Sequence, residues 1–150
     1  MFLKRYELLK SRNAKDWWTN TFGDPVSWMV LAIIGDWKFI TPNLLTVFTF
    51  ISKIIASIFI AFGDRSMTIY GAFLLQLGVL FDHMDGNLAR YRDDTTLRGG
   101  FMDRILDGTS ILFVFCGLSW HLHVNGEPSY YLLMGPAVAS FYLIICYIYW

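Results

Sequence analysis

Half of the 12 acidic residues in this 150-residue chain fall in one stretch: Asp82, Asp85, Asp93, Asp94, Asp103 and Asp107. Their spacing sorts them. Asp82, Asp85 and Ala89 stand at i, i+3 and i+7, offsets that share one face of a helix. Gly99, Asp103 and Asp107 stand at i, i+4 and i+8 and share a face of the next helix. The short polar connection 91–98 makes the two helices antiparallel neighbours, so their carboxylate faces can meet. Carboxylates gathered there repel one another, and desolvation beside lipid adds several kcal/mol per ion, roughly. Something positive must sit among them. Carboxylate oxygens suit hard divalent cations, and Mg²⁺ or Mn²⁺ is the usual choice where phosphates share the coordination sphere. Two such ions about 3.5–4 Å apart can clamp a pyrophosphate during in-line displacement. Gly86 and Ala89 are small enough to let a bulky ligand approach the backbone, and Arg90 offers a guanidinium to a phosphate or a carboxylate. The competing reading is plain ion pairing of the acids with Arg90, Arg92, Arg98 and Arg104.

The elements that carry these residues belong in a membrane. Hydrophobic residues make up 55% and charged residues 16%, against about 25% charged in soluble domains. The same numbers exclude disorder. A formal net charge of zero leaves no polycation for nucleic acid. Cys116 and Cys146 both lie in apolar runs, which excludes a disulfide scaffold or a cysteine zinc site. The expected fold is an all-α integral membrane protein, an antiparallel transmembrane helix bundle preceded by an amphipathic, interfacial segment.

Residues 1–40 read as a cytoplasmic juxtamembrane arm. Lys4, Arg5, Lys10, Arg12 and Lys15 alternate with Phe2, Leu3, Tyr6, Leu8, Leu9, Trp17 and Trp18, as in a helix lying on a membrane surface. The apolar stretch Val26 to Ile34 is too short to span and reads as an interfacial helix begun by Asp24-Pro25. Residues 41–150 form the membrane domain, with four expected spans: Leu44 to Phe62, Met67 through Ala89, Gly99 to Trp120, and Tyr130 to Trp150. The basic arm, Lys38, Arg90, Arg92 and Arg98 fall on one side, and Arg65 alone on the other. The positive-inside rule then puts the N-terminus and the 91–98 connection in the cytoplasm. The last span has no polar flank after Trp150, which reads as a portion of a longer chain.

The string Asp82-x2-Asp85-Gly86-x2-Ala89-Arg90-x8-Gly99-x3-Asp103-x3-Asp107 resembles the signature of the CDP-alcohol phosphatidyltransferase family at all specified positions. Thr41-Pro42-Asn43-Leu44-Leu45-Thr46 is similar to the Pro-Asn-x-x-Thr opening of that family's first span. The basic, Trp-bearing arm resembles the juxtamembrane helix of several members. The resemblance implies six spans, so four visible spans suggest an N-terminal portion. It implies transfer of a substituted phosphoryl group from a CDP-linked donor, such as CDP-diacylglycerol, to a small polar alcohol, with release of CMP. It further implies that Asp82, Asp85, Asp103 and Asp107 hold a metal pair and that Asp107 is the general base. Gly86, Ala89, Arg90 and Gly99 fall where the family contacts the nucleotide, and Asn43 and Thr46 join them as substrate-side residues.

The remaining polar residues have plainer readings. Lys53 lies mid-span and either binds an acceptor phosphate or pairs with an acid inside the bundle. Arg104 sits on another face and reads as a counterion. Asp93 and Asp94 read as solvated, and His83 is given no role. His121 and His123 lie about 27 Å along the helix from Asp103, at the far interface. Trp37, Trp120, Tyr130 and Tyr131 read as interfacial belts. Gly71 and Gly78 permit close helix packing and leave room for a homodimer. Two other functions compete with the enzyme, a cation-binding transporter and an inactive binding subunit. Transport is disfavoured because transporter sites lie near the bilayer midplane, whereas this cluster lies at one membrane end.

Overall fold

Turn residues set where each helix begins and ends. A computed structural model describes Tyr6 and residues 19–148, with the backbone only at Asn20. The expected surface helix of residues 1–18 therefore lies outside the described residues apart from Tyr6, as do the last two residues of the expected fourth span.

A π-helical turn, Thr19–Gly23, leads into α1, Asp24–Ile34, with Pro25 in its first turn. The Gly35 N–H closes α1 on the Leu31 carbonyl at 2.7 Å. α2 spans Pro42–Phe62. Thr41 caps it, its Oγ1 accepting the Leu44 N–H at 3.2 Å, and Pro42 stands where a missing N–H costs nothing. Asp64 caps α3, Arg65–Tyr91, by accepting the Met67 N–H at 2.9 Å. Asp93 then adopts φ 52°, and the Asp94 N–H reaches back to the Ala89 carbonyl at 2.9 Å, a left-handed stop that Asp tolerates better than most residues. Thr96 caps α4, Leu97–Val124, through the Gly99 N–H at 3.0 Å. Gly126, at φ 89°, ends it in the same way. α5 covers Tyr131–Ile148 and contains Pro136.

Among the described residues there is no strand, and four helices, α2 to α5, are long and apolar enough to cross a membrane. Large apolar side chains face outward along them, including Phe73, Leu133 and Phe141. In water such exposure would be costly; in lipid it is solvation. Three of the membrane helices exceed their expected bounds, whereas α5 begins one residue late, at Tyr131. α2 takes in Pro42 and Asn43, α3 runs from Arg65 to Tyr91, and α4 extends to Val124. His121 and His123 thus sit in the last turn of α4 rather than in the connection.

The chain divides into two compact units. The first comprises Met1–Thr49 and Leu77–Asp103. Here α1 docks on the C-terminal half of α3: Trp28 and Leu31 pack with Leu45, Met84 and Leu88, all nearly inaccessible. The Tyr6 ring meets Trp28 edge-on at 6.2 Å. Arg92 closes the α1–α2 connection by donating to the carbonyls of Gly35 (2.9 and 2.6 Å), Trp37 (2.9 Å) and Ile40 (2.6 Å).

The second unit comprises Phe50–Gln76 and Arg104–Trp150. Small residues let its helices approach closely, as membrane packing favours. A Cβ on Gly117 would lie 2.6 Å from Ser57 Oγ and 2.8 Å from the Ser57 carbonyl oxygen. That close pass lets Ser57 Oγ donate to the Phe113 carbonyl at 2.6 Å. A Cβ on Gly71 would meet Ile60 at 2.9 Å and the Ala56 carbonyl oxygen at 3.0 Å, so Gly71 serves packing inside this chain. Phe62 and Trp120 gather at 6.2 Å, with His123 at 6.1 Å from Trp120.

Candidate active site

Two helix starts and one helix end build the site. The start of α2 presents Asn43 and Thr46, the end of α3 presents Asp85, Gly86, Ala89 and Arg90, and the start of α4 presents Gly99 and Asp103. All of these line one cavity of about 160 Å³. The helical offsets read from the sequence explain the arrangement. Asp85 and Ala89 lie one turn apart on α3, and Gly99 and Asp103 lie one turn apart on α4.

Local hydrogen bonds hold the walls. The Thr46 hydroxyl donates to Asp85 Oδ2 at 2.6 Å, and both residues are buried. This is a short bond to an ionisable acceptor, of the stronger kind, and it fixes one carboxylate oxygen. Arg90 lies over Gly86, where a Cβ would come within 3.3 Å of both terminal guanidinium nitrogens. Arg90 Nη2 donates to Asn87 Oδ1 at 2.8 Å. Gly99 leaves space for Asn43, whose Oδ1 would lie 3.3 Å from an added Cβ.

Asp82 and Asp103 do not merely face the same way: carboxylate oxygens from the two lie within 4.8 Å of each other. Asp107 follows Asp103 one turn along α4. This is an acidic cluster able to hold a metal ion. The donor set is all oxygen, and its separations fit ligands that share a hard divalent cation. Neither Asp82 nor Asp107 lines the cavity. Asp107 instead accepts from Lys53 Nζ at 2.5 Å, the acid-paired reading of that lysine. Lys53 is buried, while the Asp107 side chain keeps 31% exposure.

Several residues take parts that were not anticipated. Asp94, read as solvated, lines the cavity together with Thr95 and Thr96. The Thr96 cap was visible as a threonine immediately before an apolar helix start. Asn87, between motif positions, donates through Nδ2 to Asp24 Oδ1 at 2.9 Å and to Ser27 Oγ at 3.1 Å. No local pattern announces that link, which joins residues 63 and 60 positions apart. His83 packs its ring over Gly23, so close that a Cβ there would lie 2.7 Å from the ring.

Comparison with known proteins points to one family. The chain is 28% identical over 102 residues to an archaetidylinositol phosphate synthase of Pyrococcus horikoshii, an alignment covering 68% of this chain and 53% of that protein. It is 33% identical over 82 residues to a bifunctional IPC transferase and DIPP synthase of Aquifex aeolicus, covering 55% of this chain and 18% of that protein. It is 40% identical over 60 residues to a phosphatidylinositol phosphate synthase of Mycobacterium tuberculosis, covering 39% and 28%. The chain thus spans about half the length of the first relative and less of the others. The family model for CDP-alcohol phosphatidyltransferase matches residues 39–149, most of the chain. With its apolar helices and the acid-lined cavity at the ends of three of them, this integral membrane chain belongs to the CDP-alcohol phosphatidyltransferase family.

Proposed function

We propose that the protein transfers a substituted phosphoryl group from a CDP-linked lipid to the hydroxyl of a small polar alcohol, releasing CMP, in phospholipid synthesis. The acceptor we favour is an inositol phosphate, on the names of the first and third relatives. The observation that carries the reading is the one cavity lined by Asn43, Thr46, Gly86, Ala89, Arg90 and Gly99, the residues expected to contact nucleotide or substrate, together with Asp85 and Asp103 of the four motif aspartates.

Asp82, Asp85, Asp103 and Asp107 would hold Mg²⁺ or Mn²⁺, as a pair in the family's motif. When bound, the metal supplies positive charge that offsets the diphosphate oxygens as CMP departs. The chain's own groups do the rest. Arg90 binds a phosphate of the donor as a planar fork, and Gly86 and Ala89 leave room for the nucleotide against α3. Thr46 orients Asp85. The acceptor oxygen forms a bond to the lipid-bearing phosphorus, and the bond from that phosphorus to the CMP oxygen breaks with its electron pair on CMP. Asp107 takes the acceptor's proton at a carboxylate oxygen, while Lys53 engages the other and fixes the carboxylate's direction. The N-terminus and the cavity face the cytoplasm in this reading, supported by the basic residues around the 91–98 connection. Residues 1–40 act as the juxtamembrane arm, and residues from 41 onward as the catalytic membrane domain.

The test is CMP release by the purified protein in lipid, with labelled CDP-diacylglycerol, Mg²⁺ or Mn²⁺, and a panel of acceptors. Inositol phosphate should support turnover that chelation abolishes, and Asp107→Asn should lose it while remaining folded, at an unfolding temperature lowered by the loss of the Lys53 ion pair. Turnover that survives chelation, or full activity in Asp107→Asn, would overturn the corresponding assignment.

A further inference from the structure

We infer that Asp24 is a positioning residue for Arg90, acting through Asn87, so that the short helix α1 takes part in binding the nucleotide diphosphate. This rests on the function proposed above. Three buried side chains carry it. Asp24, Ser27 and Asn87 are 6%, 0% and 8% exposed. Asn87 stands between α1 and the cavity, with Nδ2 2.9 Å from Asp24 Oδ1 and Oδ1 2.8 Å from Arg90 Nη2.

The chemistry of the amide makes this chain of contacts directional. An ionised carboxylate only accepts, so the NH₂ end of Asn87 must face Asp24. Its carbonyl end must then face away, toward Arg90, whose guanidinium only donates. Asp24 therefore decides which end of Asn87 the arginine meets. Ser27 Oγ, 3.1 Å from Nδ2, accepts the second amide hydrogen and removes the remaining freedom of the group. Arg90 is an exposed, many-rotamer side chain on the cavity wall. Anchored at one edge by Asn87 and laid over Gly86, it presents a fixed fork rather than a mobile charge.

Docking of α1 does not require this network. Trp28 and Leu31 already bury α1 against Leu45, Met84 and Leu88. An apolar residue in place of a buried polar set is often no less stable, so a purely architectural role leaves the buried carboxylate unexplained. A role through Arg90 explains it.

The experiment measures CDP binding to the full chain in detergent with Mg²⁺, by calorimetry, for wild type, Asp24→Asn, Arg90→Ala and the double variant. Asn at 24 offers an amide that no longer dictates the orientation of Asn87. Binding should weaken about tenfold, the scale of one charge-assisted hydrogen bond. Arg90→Ala should weaken it at least as much, and the double variant no further than Arg90→Ala alone. Asn87→Leu, close in shape, should behave as Asp24→Asn does and serves if the latter does not fold. Losses that multiply in the double variant, or wild-type affinity in both Asp24→Asn and Asn87→Leu, would overturn the inference while leaving the functional reading standing. Absence of CDP binding by the folded wild type would overturn both.

Discussion

Lys53 and Asp107, 54 positions apart, are joined by a 2.5 Å salt bridge from the middle of α2 to α4. The lysine is buried, and breaking a buried ion pair by removing one partner is destabilising. Lys53→Met should lower stability by about 2 kcal/mol, below the range for fully buried pairs because Asp107 is partly exposed. Thermal unfolding in detergent measures the loss. Lys53→Arg should recover most of it. Lys53→Met combined with Asp107→Asn should regain stability without regaining turnover; a double variant no more stable than Lys53→Met would refute charge pairing as the cause.

Thr46 is expected to act on metal affinity through Asp85. Thr46→Val keeps the shape and removes the 2.6 Å bond to Oδ2. Outer-shell partners of this kind change metal affinity by about 10- to 100-fold. Titration with Mn²⁺, followed by paramagnetic resonance of the free ion, should show a loss within that range. Thr46→Ser should bind as wild type does. Equal affinity of Thr46→Val and wild type would show that the hydroxyl does not orient the ligand.

Arg92 should resist conservative replacement. Its fork meets three carbonyls of the α1–α2 connection at once, those of Gly35, Trp37 and Ile40. A lysine ammonium cannot reproduce that planar array. Hydrogen exchange at residues 35–41 should accelerate in Arg92→Lys, with little change along α5. Unaltered exchange there would mean that the connection is held by other contacts.

The glycine at the α2–α4 crossing should tolerate no methyl group. Gly117→Ala would set a Cβ against the Ser57 backbone carbonyl, and overpacking of this kind costs about 1–3 kcal/mol. Gly100→Ala is the contrast: the position is helical, with nothing within 4 Å of the added carbon. There the change should stabilise by about 0.5–1 kcal/mol. Unfolding temperatures moving in the same direction for both would contradict the packing assigned to Gly117.

The sequence made the periodic and capped features readable. Asp82, Asp85, Asp103 and Asp107 announce their faces through helical offsets, and Thr41-Pro42 announces the start of α2 through its capping chemistry. The length and apolarity of α2 to α5 mark them as membrane helices. What stayed hidden were partnerships between segments distant along the chain. Lys53 reads as a partner for some acid of the bundle or for an acceptor phosphate, and only the packing of α4 singles out Asp107. Asp24 reads as the first residue of a surface helix, because a nearly continuous apolar run from Val26 to Ile34 shows no polar face to reveal which side is buried. Asp94 reads as an ordinary loop acid, because only the left-handed turn at Asp93 brings it to the cavity wall. For Lys53 and Asp24 the deciding interaction is between side chains that no local period connects, and for Asp94 it is a backbone turn.

The length of α3 has a consequence for where such a catalyst works best. Its 27 residues extend roughly 40 Å at 1.5 Å each, against a hydrocarbon layer of about 30 Å. The surplus amounts to about seven residues, and the last seven of α3 begin at Asp85 and include Gly86, Ala89 and Arg90. With Arg65 at the far interface, as in the orientation proposed above, bilayer thickness would set how far these groups stand into water. Longer acyl chains would draw them toward oil and shorter ones push them clear, so the proposed transfer should respond to the acyl-chain length of the surrounding lipid.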